Sequence, residues 1–503
     1  MLGRLALFSA KVAFALTSTL TGPRRGLASL KSSSVYIAVG SNLGDRCSAI
    51  HAAIQLLKQI GSIHSTSFLY ESIPMYVSEQ PRFLNAAIRL ETNLSPQALL
   101  TSLQSIEKKV GRTLSYRNGP RLLDLDILLY LECGEHYRSV DVSIENSGEN
   151  NLQIPHPRIR ERAFVLQPLV DLNPQLLIGE KSAYVLLQEL QCKEKKSLQR
   201  VMPLGINASG EVRLVPVTSD GKFGSALVQG ILNITPDSFS DGGAHCSTLD
   251  SAVGAGIQMI RDGADVVDVG GESTRPNSEP VSQAEEEARV VPVVSALVAR
   301  CRRDGLPICI SIDTRNAKTA EAAVAAGACI INDVSGGRHD LDMIAAAGRL
   351  MVPLILMHSR GNPQSMSQAT NQMYRNLVHE VADELLLQIR NHVNAQLPRW
   401  LQIVDPGIGF AKGTNDCLEL LKPESVNLFK GRLEGRAVLI GASRKRFLAT
   451  ESDDAPRDRD WATVGVHALA IVGGADMVRV HNVAAARQSI DALIRVLRAG
   501  ETK

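Results

Sequence analysis

The chain has 503 residues, 44% of them hydrophobic and 21% charged, with a formal net charge of +2. That length suits two or three domains with apolar cores of their own. A near-neutral balance with no basic run interleaved with aromatics argues against a nucleic-acid surface, and after the N-terminal leader no stretch approaches the roughly 18 apolar residues of a membrane span, so the expected partners are small molecules.

The first acidic residue is Asp45, and ahead of it stand Arg4, Lys11, Arg24, Arg25 and Lys31 among Leu, Ala, Phe, Ser and Thr. An acid-free, Arg- and Ser-bearing start reads as a transit peptide over residues 1–33, addressed to the mitochondrial matrix, with a plastid as the second destination. A secretory signal is the rival because residues 12–16 are apolar, but Lys11 interrupts the hydrophobic region. The eight cysteines include no C-x-x-C pair, which fits a reducing compartment and argues against a disulfide framework or a structural zinc site.

Residues 35–42 read as a strand ending in a Gly-Ser-Asn-Leu-Gly-Asp turn, and Ile50, Ala53, Ile54 and Leu57 recur at helical spacing over 46–60. Residues 67–72 and 84–91 read as strands. Ser95-Pro96 supplies an N-cap and a first-turn proline for a helix lined by Leu99, Leu103, Ile106 and Val110. A last strand spans 124–131. The order β-α-β-β-α-β is that of a ferredoxin-like α+β domain.

In that last strand Asp124 and Asp126 share one face while Leu123, Leu125 and Ile127 turn to the other. Two like charges held that close repel unless something positive sits between them. A hard divalent cation such as Mg²⁺, completing its shell with water and phosphate oxygens, is the natural filler. The alternative is an edge strand with two solvated aspartates.

Gly40-Ser-Asn-Leu-Gly, Gln80-Pro-Arg-Phe-Leu-Asn-Ala, Gly119-Pro-Arg-Leu-Leu-Asp-Leu-Asp and Ile154-Pro-His-Pro-Arg with Arg162-Ala-Phe follow one another in the chain. Together they resemble hydroxymethyldihydropterin pyrophosphokinase over residues 34–190. The resemblance implies transfer of pyrophosphate from ATP, a co-substrate, to the hydroxymethyl of a reduced pterin. It implies that Asp124 and Asp126 hold Mg²⁺, that Arg112, Arg121, His156 and Arg162 clamp phosphates, that Phe83 and Phe164 sandwich the pterin, and that Asn85 bonds its edge. Asp124, Asp126 and Arg121 are the expected catalytic residues of this domain.

Residues 191–226 carry a charged run and two Gly-containing turns between short apolar pieces, which suggests a linker able to form a hairpin or to plug the base of the next domain. Beyond it, apolar runs at 227–234, 265–271, 307–313, 329–334, 351–358, 401–405, 437–442 and 476–481 alternate with helix-like segments. Eight such repeats argue for a TIM (β/α)8 barrel over 227–500, with a doubly wound open sheet as the alternative. Each run ends in polar residues, including Asn233 and Asp237, residues 272–275, Asp313, Asn332 and Asp333, His358, Asp405, residues 443–445, Arg479 and His481. In a barrel these surround one mouth.

The segments beginning at Gly230-Ile-Leu-Asn, Gly270-Gly-Glu-Ser-Thr-Arg-Pro, Asp405-Pro-Gly-Ile-Gly-Phe, Ser443-Arg-Lys-Arg-Phe and Arg479-Val-His resemble dihydropteroate synthase. That resemblance implies pterin binding by Asp313, Asn332, Asp405 and Lys445, with Lys445 and Asp405 counted as catalytic. It further implies Mg²⁺ on Asn233, pyrophosphate held by Arg479 and His481, a loop carrying Thr274 and Arg275 near the phosphates and the reacting carbon, p-aminobenzoate as second substrate, and a homo-oligomer formed through the barrel. The combined expectation is a bifunctional enzyme of folate synthesis. Its rivals are a degenerate kinase domain beside an active synthase, and a barrel that binds pterin without catalysis or transfers a methyl group with a corrinoid partner.

Overall fold

A computed structural model of the chain describes residues 32–75, 77, 79–113, 116, 119–132, 138–144, 152–193, 198–217, 226–234, 248–272, 281–361, 365–366, 368–449 and 455–499. All but the last two residues of the expected transit peptide, and the expected site residues Thr274 and Arg275 with Asp237, lie outside the described residues.

The first part runs β1 (Ser33–Ser41), α1 (Arg46–Leu57), β2 (Ser62–Thr66), β3 (Leu69–Ser72), β4 (Phe83–Thr92), α2 (Pro96–Val110) and β5 (Asp124–Glu132). Its strands lie in the order β3-β4-β1-β5, neighbours antiparallel, with β2 also on β4, which is the expected ferredoxin-like arrangement. The strand expected over 67–72 starts at Leu69, and a further strand, β2, lies just ahead of it. The break falls where the Phe68 N–H leaves the ladder for Asp171 Oδ2 at 3.0 Å, while the Ser67 hydroxyl accepts from Ala87 N at 2.8 Å and keeps the edge of β4 satisfied.

Local chemistry sets the helix ends. Asp45 accepts from Ser48 N at 3.0 Å to start α1, and Ser95 with Pro96 starts α2, which Gly111 closes with a φ of 110°. Each such cap stabilises its helix by about 1 kcal/mol. Helices α1 and α2 cover one sheet face, burying Ile50, Ile54, Leu99 and Leu103 against Val35, Ile37, Leu84, Leu125 and Ile127. Helices α3 (Ala163–Leu172) and α4 (Ala183–Lys193) cover part of the other, where Leu166, Leu169 and Leu187 meet Tyr36, Ala87 and Leu128. The rest of that second face carries the polar residues described below.

The stretch expected as a linker holds a hairpin, β6 (Gln199–Ile206) and β7 (Val212–Pro216), and β6 pairs with β3, so the hairpin extends the first sheet. Its other side plugs the second domain. Met202, Leu204, Val215 and Val217 pack with Leu227, Val266, Ile330, Ile403 and Met477 at the barrel floor, and Ile206 and Ile308 exchange backbone hydrogen bonds of 2.8 and 2.9 Å. Turn-rich composition did not reveal that both faces of so short a hairpin are used.

The barrel closes through eight parallel strands, β8 (Leu227–Asn233), β9 (Val266–Gly270), β10 (Ile310–Asp313), β11 (Ile330–Asp333), β12 (Leu354–Met357), β13 (Gln402–Asp405), β14 (Ala437–Ile440) and β15 (Met477–Val480), with helices between them. Inward residues alternate with outward ones along each strand. Two residues above floor positions Val266, Ile330, Ile403 and Met477 stand Asp268, Asn332, Asp405 and Arg479. Four alternate strands thus contribute one polar layer under the mouth.

The first part docks on the base of the barrel. Gln55 Nε2 donates to Gly348 O at 2.8 Å, Lys58 Nζ to Gln396 O at 3.2 Å and Arg200 Nη1 to Gly435 O at 3.0 Å. Arg399 donates from its backbone to Thr66 Oγ1 and from Nη1 to Asp171 O, both at 2.8 Å. Trp400 stacks on His51, and Arg200 lies 4.0 Å over the Phe68 ring. Burial raises the pKa of the Asp171 carboxyl, opposed by Arg200 and Arg399 from the two sides of the joint.

Candidate active sites

The first site is built on the register of three strands. Gly40 of β1 faces Asn85 of β4 on one side and Asp124 of β5 on the other. A Cβ at Gly40 would stand 3.5 Å from Asn85 Oδ1 and 4.0 Å from Asp124 Cβ. A side chain there would fill the floor between the amide and the carboxylate, so glycine leaves that floor open.

Leu125 and Ile127 are buried in the core under α1 and α2, so Asp124 and Asp126 face the opposite side. Arg112 Nη1 at 3.1 Å and Arg121 Nη1 at 2.9 Å both donate to Asp124 Oδ1. Arg112 also donates to Glu107, which accepts from Leu125 N at 2.9 Å and whose pKa burial raises. The Asp126 carboxyl is pushed up to about 7, by burial first and the Asp124 charge second, with Arg162 and Arg121 opposing. Two carboxylates that resist ionising together, on one face and with oxygen donors only, fit a hard divalent cation that takes its remaining ligands from phosphate and water. Among the described residues no group of three or more His, Cys, Asp or Glu could hold a metal without such help.

His156 donates its backbone N–H to Leu128 O at 2.9 Å and accepts at Nδ1 from Arg158 N at 3.1 Å. Burial, then Arg162 and Arg158, lower its pKa to about 4, so the ring is neutral and carries its proton on Nε2. Arg162 caps α3, with its guanidinium 5.6 Å from the Phe164 ring. Phe83 opens β4 two residues before Asn85, whose Nδ2 donates to Ser72 Oγ at 2.9 Å. Phe83, Asn85, Asp124 and Asp126 therefore stand on one sheet face with Arg162 and Phe164 at the start of α3. Arg112 and Arg121 reach Asp124 from the segments after α2 and before β5, and His156 follows the strand Leu152–Ile154. Sequence reasoning missed Asn42, which ties Arg121 to residues 80–81, although it stands inside Gly40-Ser-Asn-Leu-Gly.

The second site is the barrel mouth. Asn233, Gly270, Asp313 and Asn332 are register partners across four consecutive strands. A Cβ at Gly270 would lie 3.4 Å from Asp313 Cβ and 3.6 Å from Asn233 Oδ1. Arg479 donates from Nε to Asp268 Oδ2 and from Nη2 to Asp313 Oδ2, both at 2.6 Å, and Asn332 Nδ2 donates to Asp268 Oδ2 at 3.0 Å. The Asp313 carboxyl is pushed up to about 7 by burial, against the pull of Arg479.

Asp405 accepts from Gly407 N at 2.7 Å, and its pKa is raised by burial, with Lys445 opposing. Arg444 takes a left-handed φ of 58° and pairs outward with Asp460 at 2.6 and 2.9 Å. Lys445 turns inward instead, donating to Ile408 O and lying 4.4 Å over the Phe410 ring. Burial lowers the Lys445 pKa to about 8, Asp405 resisting. His481 Nδ1 and Ser443 Oγ are 2.9 Å apart.

Two further residues lay outside the expected set. Asp268 is buried at the centre of the polar layer; an aspartate inside an otherwise apolar parallel strand was its only signal in the sequence. Lys412, inside the glycine-rich turn after β13, is 3.0 Å from both His358 Nδ1 and Phe410 O. Burial pushes its pKa down to about 7. Beyond it, His358 Nε2 meets Glu384 at 3.0 Å. One mouth thus offers acids, an amide and cations side by side, suited to a flat heterocycle with alternating donors and acceptors and an attached anion.

Residues 36–174 match the family model described as 7,8-dihydro-6-hydroxymethylpterin-pyrophosphokinase, and residues 229–481 match that described as pterin binding enzyme. The mitochondrial folate synthesis bifunctional protein of Pisum sativum is 39% identical over 473 residues, covering 91% of this chain and 88% of that one. Its mitochondrial counterpart from Arabidopsis thaliana is 39% identical, with 92% and 83% covered. The crystal structure of wild-type Plasmodium falciparum HPPK-DHPS with pteroate, 20% identical, superposes with a TM-score of 0.73 over 93% of this chain and 98% of that one, a likeness of fold. The chain belongs to the family of bifunctional folate-synthesis proteins that join a pterin pyrophosphokinase domain to a dihydropteroate synthase barrel, and it is a transferase with both activities.

Proposed function

We propose that the face bearing Asp124 and Asp126 installs a pyrophosphate on 6-hydroxymethyl-7,8-dihydropterin and that the mouth bearing Lys445 expels it. In the first site Asn85 bonds the edge of the pterin and Phe83 and Phe164 enclose its faces. Arg112, Arg121 and Arg162 hold the phosphates of ATP, the guanidinium geometry favouring bidentate contacts, and His156 adds a neutral N–H. The pterin hydroxyl attacks the β-phosphorus and AMP leaves. Mg²⁺ on Asp124 and Asp126 would neutralise the charge that develops on the transferring group. The observation carrying this reading is the side-by-side placement of Asn85, Gly40 and Asp124.

In the barrel, Asp313, Asn332, Asp405 and Lys445 bind the pterin ring. Asn233, Arg479 and His481, with Thr274 and Arg275, hold the pyrophosphate; Asn233 is the residue that would carry Mg²⁺ there. The C–O bond of the ester breaks, pyrophosphate takes the electron pair, and the p-aminobenzoate nitrogen bonds to the methylene and loses a proton. Stabilising charge on the leaving group is the main rate effect available to such a site. The product is 7,8-dihydropteroate.

The domain reading is residues 34–190 for the kinase, 191–226 for the joint and 227–500 for the barrel, with 1–33 a transit peptide to the mitochondrial matrix. The naming of the pea and Arabidopsis relatives as mitochondrial supports that destination. A homo-oligomer through the barrel is supported by Trp461, Leu469 and Val472, exposed on one side of the helix Asp460–Val472. A degenerate kinase domain is disfavoured because Asp124, Asp126 and three arginines are all present.

The test supplies hydroxymethyldihydropterin, ATP, Mg²⁺ and p-aminobenzoate and follows AMP, pyrophosphate and dihydropteroate. All three should appear. Dihydropteroate formed only when the pterin pyrophosphate is supplied would leave the synthase alone.

A further inference from the structure

Asp268 lies beneath the mouth, yet one proposed pterin-binding residue, Asn332, and one proposed pyrophosphate-binding residue, Arg479, depend on it. It is fully buried, and its Oδ2 accepts from both Asn332 Nδ2 and Arg479 Nε. A carboxylate offers only acceptors, so it selects the nitrogen end of the Asn332 amide. The Asn332 oxygen is thereby turned away from Asp268, as an acceptor for a ring N–H. Flipping the amide would set two acceptors against each other at the same separation. Arg479 is fixed in the same way, because Asp268 and Asp313 take Nε and Nη2 and so determine the plane of the guanidinium.

The layer beneath supplies a second, independent observation. Asp268 and Ser311 are register partners on β9 and β10, and Gln229 stands on the adjoining β8. Ser311 lies two residues above the floor residue Cys309, and Gln229 two above Leu227, so all three point into the barrel. Gln229 and Ser311 are fully buried. Asp268 Oδ1, Ser311 Oγ and both polar atoms of Gln229 have no hydrogen-bond partner among the described residues. Leaving four such atoms dry on three adjacent strands is costly, whereas one water needs only two to four polar partners.

We propose that Asp268 is a positioning residue for the barrel reaction, setting the Asn332 amide and the Arg479 guanidinium through Oδ2 while a buried water shared with Ser311 and Gln229 satisfies Oδ1. This rests on the barrel mouth being the pterin site. Asp268 touches no substrate; it fixes the orientation of groups that do. The water donates to Asp268 Oδ1 and to Gln229 Oε1 and accepts from Ser311 Oγ or Gln229 Nε2.

The test uses the full-length protein with pterin pyrophosphate and p-aminobenzoate supplied directly. Asp268→Asn should raise KM for the pterin ester about tenfold or more, the loss expected when hydrogen bonds to a charged group are disturbed, and leave KM for p-aminobenzoate within about twofold. ATP-dependent AMP formation should not change. Equal rises in both KM values, or none, would overturn the positioning role. If the wild-type protein makes no dihydropteroate from the ester, the site assignment itself fails, a separate result. The water is tested without touching Asp268, by a cycle of Gln229→Met, Ser311→Ala and the double variant followed by Tm. Partners of one water should give a double variant less destabilised than the sum of the singles. Additive effects, or a Tm that rises in Gln229→Met because an unsatisfied amide has been removed, would refute the shared water.

Discussion

Asn42 and Arg121 hold each other twice, Asn42 N donating to Arg121 O at 3.1 Å and Arg121 N donating to Asn42 Oδ1 at 2.8 Å. Asn42 Nδ2 also reaches Gln80 Oε1 at 3.1 Å and Pro81 O at 3.2 Å. One buried amide thus joins the turn after β1, the segment before β4 and the approach to β5, the three places that deliver Gly40, Asn85 and Asp124. Asn42→Ala removes all three side-chain bonds, each worth about 1 kcal/mol net. The expected result is a fall of at least about tenfold in kcat/KM for AMP formation, with dihydropteroate synthesis from supplied ester unchanged. Loss of both activities in a folded protein would mean that Asn42 supports more than the first site.

The two sites share no residue, so they should be separable by mutation. Asp124→Ala with Asp126→Ala should abolish ATP-dependent turnover, measured as AMP, yet leave the supplied ester fully convertible. Lys445→Ala should stop the pathway one step later, letting the ester accumulate to detection by chromatography. If the ester failed to appear in that variant, the order of the two reactions assigned here would be wrong.

Asp126 gives the first site a pH dependence with a definite sign. Its folded pKa, about 7, stands above the ordinary value of roughly 3.9 for an aspartate. Between those values the folded protein holds a proton that the unfolded chain does not, so this group's contribution to stability falls as pH rises through that window. Mg²⁺ needs the ionised form. Affinity for Mg²⁺ with a nonhydrolysable ATP analogue should therefore rise with pH to about 7 and then level, with proton release at pH 6 visible as a dependence of calorimetric heat on the buffer. No released proton at pH 6, or the same release from Asp126→Asn, would count against Asp126 as the titrating ligand.

The pattern of the chain carried most of this architecture, and the limits of pattern are specific. Alternation placed Asp124 and Asp126 together because a strand has period two, and apolar runs placed all eight barrel strands because both faces of a parallel sheet are covered. The polar ends of those runs then located the mouth. Asp268 was not legible, since what distinguishes it is its partners on β11 and β15, far away in sequence. For the hairpin β6–β7 the sequence offered a joint or a plug without deciding between them, for a related reason. Its residues gain their apolar partners only after the barrel floor exists.

Docking at the base of the barrel also constrains how the intermediate travels. The barrel residues that meet the first domain, Gly348, Gln396, Arg399, Trp400 and Gly435, come just ahead of strands, and Arg213 of the hairpin pairs with Asp265, just ahead of β9. Asp405 closes β13 at the opposite end, and Lys445 and His481 follow the strand ends there. Between these two ends lie the apolar floor around Met202 and Leu204 and the polar layer of Asp268 and Arg479, so the barrel interior offers no path. On the proposed assignment of the two sites, the pterin ester made at the first would leave, pass around the outside and enter the mouth. Unlabelled ester added during a coupled reaction from labelled hydroxymethyldihydropterin should therefore dilute the label in dihydropteroate in proportion to its share of the free pool. Label retained in the product against an excess of unlabelled ester would require a guided route over the surface or into the mouth of a second copy, and a dilution experiment repeated across protein concentration would separate the two.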